Sequence, residues 1–84
     1  MSIEDKVAII TGSSSGIGYV TAMALSKAGA KVAIGARRTD KLEQLENEIK
    51  KNGGDVLSQK LDVTKKTDCD AIVDQTIKKW GTVD

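Results

Sequence analysis

The chain has 84 residues, enough for one small domain. Its formal net charge of +1 gives no positive field that would attract nucleic acid. With Tyr19 and Trp80 as its only aromatic residues, no histidine and the single cysteine Cys69, it offers neither a base-stacking platform nor a clustered metal site or internal disulfide. No apolar run approaches the ~20 residues of a membrane span and the first residues do not resemble a signal peptide, so we expect a cytoplasmic protein.

The first predicted unit is a strand over residues 7–10, a continuous apolar run rich in β-branched side chains, as in buried parallel strands. A helix is predicted over residues 16–28, and Gly29 follows where helices often end in a left-handed residue. The residues at helical spacing that should form its buried stripe are Ile17, Val20, Ala24, Leu25 and Ala28.

The second unit is a strand over residues 31–36 and a helix that Thr39 or Asp40 is expected to cap, with Asp40 and Glu43 at a capping-box-like spacing. The helix should end at Asn52-Gly53-Gly54, and its apolar stripe consists of Leu42, Leu45 and Ile49.

The third unit is a strand over residues 56–61 and a helix that Thr64 should cap and Gly81 should end. The residues predicted to share its apolar face are Cys69, Ile72, Val73, Thr76, Ile77 and Trp80. Strands that alternate with helices in this way predict an α/β fold with a parallel sheet and right-handed crossovers.

The turn between the first strand and the first helix is rich in glycine and serine. Gly12 permits a tight turn, Gly16 lets a ligand approach the backbone, and Gly18 allows close packing of helix on strand. The helix N-terminus directs N–H groups and its positive dipole end into this turn, which suits a pyrophosphate. The alternative is a tight turn without a ligand. The candidate phosphate-binding residues are Gly12, Ser13, Ser14, Ser15, Gly16, Ile17 and Gly18.

The second strand ends in Gly35-Ala36-Arg37-Arg38. An NAD-binding domain usually has an Asp or Glu there, which accepts hydrogen bonds from the adenosine ribose. Ala36 takes that position here, and two guanidiniums follow, whose planar forks match a phosphate. The residues therefore favour NADP(H), with Arg37 and Arg38 as candidate contacts to its 2′-phosphate. The alternative is that both arginines belong to a solvated loop.

The glycine spacing Gly-x3-Gly-x-Gly after Thr11 resembles that of the short-chain dehydrogenase/reductase family. The likeness extends over the whole chain, through Asp62-Val63 after the third strand to the ending Trp80-Gly81-Thr82-Val83-Asp84. It implies a Rossmann-like parallel sheet with helices on both faces, of which residues 1–84 form the N-terminal βαβαβα part of a single NAD(P)-binding domain.

The resemblance also implies roles for individual residues. Arg37 aligns with the arginine that contacts the 2′-phosphate in NADP-preferring members, although Ser15 stands where some of these carry Arg or Lys. Asp62 would accept a hydrogen bond from the adenine amino group, and Val63 would add a backbone contact. The alternative for Asp62 is that it caps the third helix.

The family's reaction interconverts alcohols and carbonyls by hydride transfer and uses a Tyr, a Lys four residues later, a Ser and usually an Asn. Met23 stands four residues after Tyr19, so no catalytic residue is assigned, and we expect the chemistry and the small-molecule substrate to belong to a complete enzyme. A nucleotide-binding module that stands alone or is completed by a partner stays an alternative. Without a fourth strand, we expect self-association through the sheet edge formed by residues 7–10.

Overall fold

The computed structural model describes residues 4–12 and 16–83. They form β1 (Val7–Thr11), α1 (Gly16–Lys27), β2 (Lys31–Ala36), α2 (Thr39–Lys51), β3 (Val56–Lys60) and α3 (Lys66–Trp80). The strands make one parallel sheet in the order β1-β2-β3, so that Ile9, Ala33 and Leu57 lie side by side. The predicted Rossmann-like α/β architecture is confirmed.

Side chains of the central strand β2 alternate between two apolar layers. Ala33 faces α3, whereas its neighbours Val32 and Ile34 face α1 and α2. The layer under α1 and α2 consists of Ala22, Val32, Ile34, Ala36, Leu42, Leu45, Ile49 and Val56, all buried. The predicted stripe of α2 is therefore confirmed. Because the burial of one large aliphatic side chain contributes about 1.5–3 kcal/mol, this layer supplies much of the fold's stability.

The layer under α3 contains fewer side chains, and the helix lies close to the sheet. Leu61 and Ile72 are buried there against Ala33, and the partly buried Trp80 packs against this cluster. Gly35 allows α3 to pack this close to β2, because a Cβ atom at that position would lie 3.1 Å from Cδ1 of Ile72 and 3.2 Å from Leu61. The helix α3 thus covers the face of the sheet opposite to α1 and α2.

The predicted stripe of α1 is wrong except for Leu25. Ile17 and Val20 are 86% and 66% exposed, whereas Ala22 is buried and Tyr19 and Met23 pack beside it. Apolar side chains occur on both sides of this helix, so helical spacing alone does not select the buried side. Two further members of the predicted stripe, Ala24 and Ala28, are also exposed.

The predicted face of α3 is half correct. Ile72 and Thr76 are buried and the hydroxyl of Thr76 donates to the Ile72 carbonyl oxygen at 2.6 Å, but Val73 and Ile77 are 42% and 45% exposed. Each of these valine and isoleucine residues lies one position, about 100° around the axis, beyond a buried one. Cys69 and Trp80, one turn away on either side, are half-buried.

The helix ends follow the glycine predictions, but the helix starts do not follow the capping predictions. Gly29 and Gly81 have φ angles of 98° and 82°, the left-handed conformation expected after a helix. Arg38 precedes α2 and Lys65 precedes α3, and neither side chain makes a capping hydrogen bond. The proposed caps by Thr39, Asp40 and Thr64 are therefore wrong.

Two classes of structural feature are absent from the described part of the chain, residues 4–12 and 16–83. None of its helices is long and apolar enough to cross a bilayer. It also contains no group of three or more His, Cys, Asp or Glu side chains arranged to hold a metal ion.

Candidate functional site

The candidate site lies where the three parallel strands end. β1 runs into Gly12, β2 into Arg37, and β3 through Leu61 into Asp62. In open α/β sheets, ligands bind outside the carboxyl ends of the strands. Residues that are 25 or more positions apart in the sequence therefore meet at one edge.

Gly12, at the start of the glycine turn, has the backbone conformation that the sequence predicts. Gly12 has a φ angle of 69°, which a residue with a Cβ atom rarely adopts. α1 begins at Gly16, and a Cβ atom there would meet none of the described residues within 4 Å. Gly18 is half-buried and Ile17 is exposed. Ser13, Ser14 and Ser15 lie outside the described residues, and their phosphate contacts stay a prediction.

A cleft of about 430 Å³ opens between the end of β2 and the turn after β3. Two of the predicted site residues, Arg37 and Asp62, lie on its wall. The complete lining is Arg37, Lys60, Leu61, Asp62, Lys65 and Asp68. Three of these side chains are cationic and two are acidic.

Asp62 organises the turn that leads into α3. Its Oδ1 accepts hydrogen bonds from the backbone N–H of Thr64 at 3.0 Å and from the Thr64 hydroxyl at 2.7 Å. The Lys65 N–H donates to the Asp62 carbonyl oxygen at 2.9 Å, and the Asp62 N–H donates to Oδ2 of Asp68 at 3.0 Å. Four hydrogen bonds within the chain itself therefore hold the turn.

This geometry bears on the two roles that the sequence leaves open for Asp62. Oδ1 stabilises the turn before α3, although it is not the helix cap itself. Within the described residues, Oδ2 of Asp62 has no hydrogen-bond donor. One carboxylate can thus hold the turn with one oxygen and offer the other to an exocyclic amino group.

The carboxylate of Asp62 is held in its ionised form. Hydrogen bonds from the Thr64 hydroxyl and N–H keep the pKa of Asp62 below the usual 3.8, and the positive charges of Arg37 and Lys65 lower it further. An ionised carboxylate is purely an acceptor, which suits an N–H donor such as an adenine amino group. Val63, the next residue, is 58% exposed, and its carbonyl oxygen lies 3.8 Å from the thiol of Cys69.

Arg38 does not share the cleft with Arg37. Its Nη2 lies 3.4 Å from Oδ2 of Asp40, and the two side chains are 67% and 68% exposed. The pKa of Asp40 is lowered first by the N–H of Lys41 and further by the charge of Arg38. The two adjacent arginines therefore have different surroundings, and only Arg37 lines the candidate site.

Lys60 and Lys65 were missed by sequence reasoning. They lie in the cleft with Arg37 and Asp62, and they flank Asp62 closely in the sequence. The signal that could have found them is this pair of lysines around the turn after β3. A lysine near a strand end is usually solvated surface, and only the fold shows that both line one cleft.

Tyr19 is part of the packing of α1 on α2. Its hydroxyl donates a short hydrogen bond to Oε2 of Glu48, and its ring packs on the buried layer beside Ala22. The hydrogen bond to Glu48, with burial and the charge of Glu48, raises the pKa of Tyr19 to about 12. A tyrosine that acts as an acid or base near neutral pH needs its pKa shifted the other way.

A family model described as short chain dehydrogenase matches residues 6–84. The chain belongs to the short-chain dehydrogenase/reductase family. It is 48% identical to an uncharacterized oxidoreductase of Listeria monocytogenes over 84 residues, which is 100% of this chain and 34% of that protein. It is 43% identical over 82 residues to a glycine betaine reductase of Emericella nidulans, covering 98% of this chain and 6% of that one.

Solved structures of short-chain dehydrogenases/reductases superpose closely on this chain. The L-sorbose reductase of Gluconobacter frateurii, solved with NADPH and L-sorbose, is 39% identical with a TM-score of 0.93 over 100% of this chain and 32% of that one. A short-chain dehydrogenase/reductase of Burkholderia phymatum, solved with NAD, is 25% identical with a TM-score of 0.95 over 99% of this chain and 30% of that one. The chain spans about a third of the length of these structures.

Proposed function

We propose that residues 1–84 form the NADP(H)-binding part of a short-chain dehydrogenase/reductase that interconverts an alcohol and a carbonyl compound by hydride transfer. The observation that carries the cofactor preference is the end of β2. Ala36 stands at the position of the ribose-binding carboxylate, and Arg37 follows on the wall of the cleft. A carboxylate there would repel a 2′-phosphate, whereas a guanidinium attracts it.

The remaining parts of the cofactor's adenosine half have matching groups along the same edge. The start of α1 at Gly16 suits the pyrophosphate, because the N-terminus of a helix offers unpaired N–H groups and its positive dipole end to an anion. Oδ2 of Asp62 suits the adenine amino group. Ser13, Ser14 and Ser15 are proposed as additional hydroxyl donors to the pyrophosphate, with Val63 as a backbone contact to the adenine.

The names of the relatives support a nicotinamide cofactor and oxidoreductase chemistry. The L-sorbose reductase is described with NADPH and the Burkholderia phymatum enzyme with NAD, so kinship leaves open which of the two cofactors this protein uses. What supports NADP(H) in particular is the pair of residues at the end of β2, Ala36 and Arg37. The substrate is proposed only as a class, an alcohol or carbonyl compound.

The expected preference follows from one arginine. A hydrogen bond to a charged group contributes about 1.5–3 kcal/mol, which corresponds to roughly 10- to 150-fold in affinity. Arg37 is exposed, and solvent screening favours the lower end of this range.

The test is calorimetric titration of the purified protein with NADPH and, separately, NADH. We expect tighter binding of NADPH and loss of that preference in Arg37→Met. Lys78→Met is the matched control, because it also removes one positive charge but lies in the last turn of α3, at the far end of the molecule. Equal affinities for the two cofactors in the unmodified protein, or an equal effect of both substitutions, would refute the proposal.

A further inference from the structure

The last residue of β3 lies next to the arginine that the proposed function assigns to the 2′-phosphate. Lys60 is paired in register with Ala36, the residue before Arg37, on the neighbouring strand. Adjacent parallel strands are about 4.8 Å apart, so an extended lysine at this point easily reaches the space in front of Arg37. Both side chains line the same cleft.

Lys65 reaches the same cleft from the other side, on a backbone that is already fixed. Its N–H donates to the Asp62 carbonyl oxygen at 2.9 Å, and its own carbonyl oxygen accepts from the N–H groups of Asp68 and Cys69 at 3.2 Å. The root of the side chain is therefore held in place, and binding a ligand costs little more than ordering the side chain itself.

The cations of the cleft are not used in ion pairs within the described part of the chain. Its ion pairs join Arg38 to Asp40, Lys50 to Glu46, and Lys79 to Asp55. The two carboxylates of the cleft, Asp62 and Asp68, accept hydrogen bonds from the turn itself, and the charges of Arg37 and Lys65 act on Asp62 from beyond ion-pair distance. Three cations and two carboxylates thus line the cleft, and within the described residues none of the three cations is tied up in an ion pair.

From this arrangement we infer that Lys60 and Lys65, together with Arg37, hold the 2′-phosphate of NADP(H), and that they rather than Arg38 provide its second contact. The inference rests on the proposed function, since it names further specificity-determining residues of the same site. Lysine suits the task because its ammonium is a compact charge on a flexible stem. Arg38 is turned toward Asp40 and does not line the cleft.

The experiment compares two probes that differ only by the phosphate in question, adenosine 2′,5′-bisphosphate and adenosine 5′-monophosphate. The measured quantity is the ratio of their dissociation constants on the purified protein. Lys60→Gln and Lys65→Gln are each expected to reduce the preference for the bisphosphate by about two- to fivefold, as for exposed ion pairs. Added salt should weaken the preference in the unmodified protein more than in the double variant.

Lys66→Gln and Arg38→Gln are the matched controls. Lys66 is the next lysine along the chain and does not line the cleft, and Arg38 is paired with Asp40. Neither change should alter the ratio by as much as Lys60→Gln or Lys65→Gln.

The outcomes separate this inference from the proposed function. A ratio near one in the unmodified protein refutes the preference for NADP(H) and the inference with it. If the double substitution of Lys60 and Lys65 leaves the preference for the bisphosphate intact, the inference alone is overturned. Arg37 would then be the residue that recognises the 2′-phosphate. Equal weakening of both probes overturns it as well, because the lysines would then not distinguish the 2′-phosphate.

Discussion

Replacing Gly35 by alanine tests how closely α3 packs on the sheet. The added Cβ would lie 3.1 Å from Cδ1 of Ile72 and 3.2 Å from Cβ and Cδ1 of Leu61, inside the 3.5–4.0 Å at which carbon atoms attract. Overpacking of this kind costs about 1–3 kcal/mol, and alanine recovers about 0.5–1 kcal/mol in a strand relative to glycine. We expect Gly35→Ala to lower the free energy of unfolding by about 0.5–2 kcal/mol.

A double-mutant cycle identifies the contact responsible. Ile72→Val removes Cδ1 and costs about 0.5–1.5 kcal/mol alone, but it also gives the new methyl group space. The combined loss should therefore fall short of the sum by about 0.5 kcal/mol or more. Urea unfolding followed by circular dichroism measures the free energy of unfolding of each variant. The comparison requires that the slope of this free energy against urea concentration is the same in all variants.

The control for this cycle is Ile49→Val, which shortens a buried isoleucine on the opposite face of the sheet. Its effect should add to that of Gly35→Ala without coupling, because the two sites share no contact. Strict additivity in the Ile72 cycle, or equal coupling in both cycles, would refute the assigned packing of α3.

Three further predictions concern other contacts. Tyr19 is the only tyrosine, so absorbance titration should give a midpoint near pH 12, and Glu48→Gln should move it toward 10.0. Because the pKa of Tyr19 is raised in the folded state, the contribution of this hydrogen bond to stability is complete below pH 10.0 and is lost as the pH rises toward 12. A titration midpoint at 10.0 in the unmodified protein would contradict the hydrogen bond to Glu48. The pKa of Asp62 is lowered, so the stability advantage of the unmodified protein over Asp62→Ala should be present above pH 3.8 and disappear as the pH falls below that value; unfolding measured against pH tests this. Gly54→Ala would bring a Cβ within 2.3 Å of Oγ of Ser26 and 2.7 Å of Cγ2 of Ile49 and should cost about 1–3 kcal/mol in thermal unfolding, whereas no loss would mean that α1 and α2 can separate there.

The α/β architecture and the buried side of α2 could be predicted, because each rests on a sequence pattern that is compatible with only one arrangement. Leu42, Leu45 and Ile49 stand among charged residues, so helical spacing selects a single buried side, and all three are buried. In α1, apolar residues surround the axis, and Ile17 and Val20 proved exposed while Tyr19 packs inward. Which side is buried depends there on the neighbouring helix, which local spacing does not report.

Individual residues of the candidate site could be predicted where the backbone conformation or the charge at a position points to one residue type. The left-handed angle of Gly12 and the position of Arg37 on the cleft follow from such requirements. The separation of Arg37 from Arg38 could not be predicted, because it depends on the nearby carboxylate of Asp40. The position of Lys65 in the cleft depends on how the turn after β3 lies against the end of β2, which only the tertiary structure defines.

The single tryptophan lies at the end of the sheet opposite the candidate site. The indole Nε1–H of Trp80 donates to Oδ2 of Asp55 at 3.0 Å, directly before β3, and Nζ of Lys79 lies 5.3 Å from the ring centroid. The length of β3, about 17 Å, separates this contact from Asp62. The emission of Trp80 should therefore serve as an internal optical reporter of whether α3 is docked, so that loss of folding can be distinguished from loss of nucleotide affinity in one and the same sample.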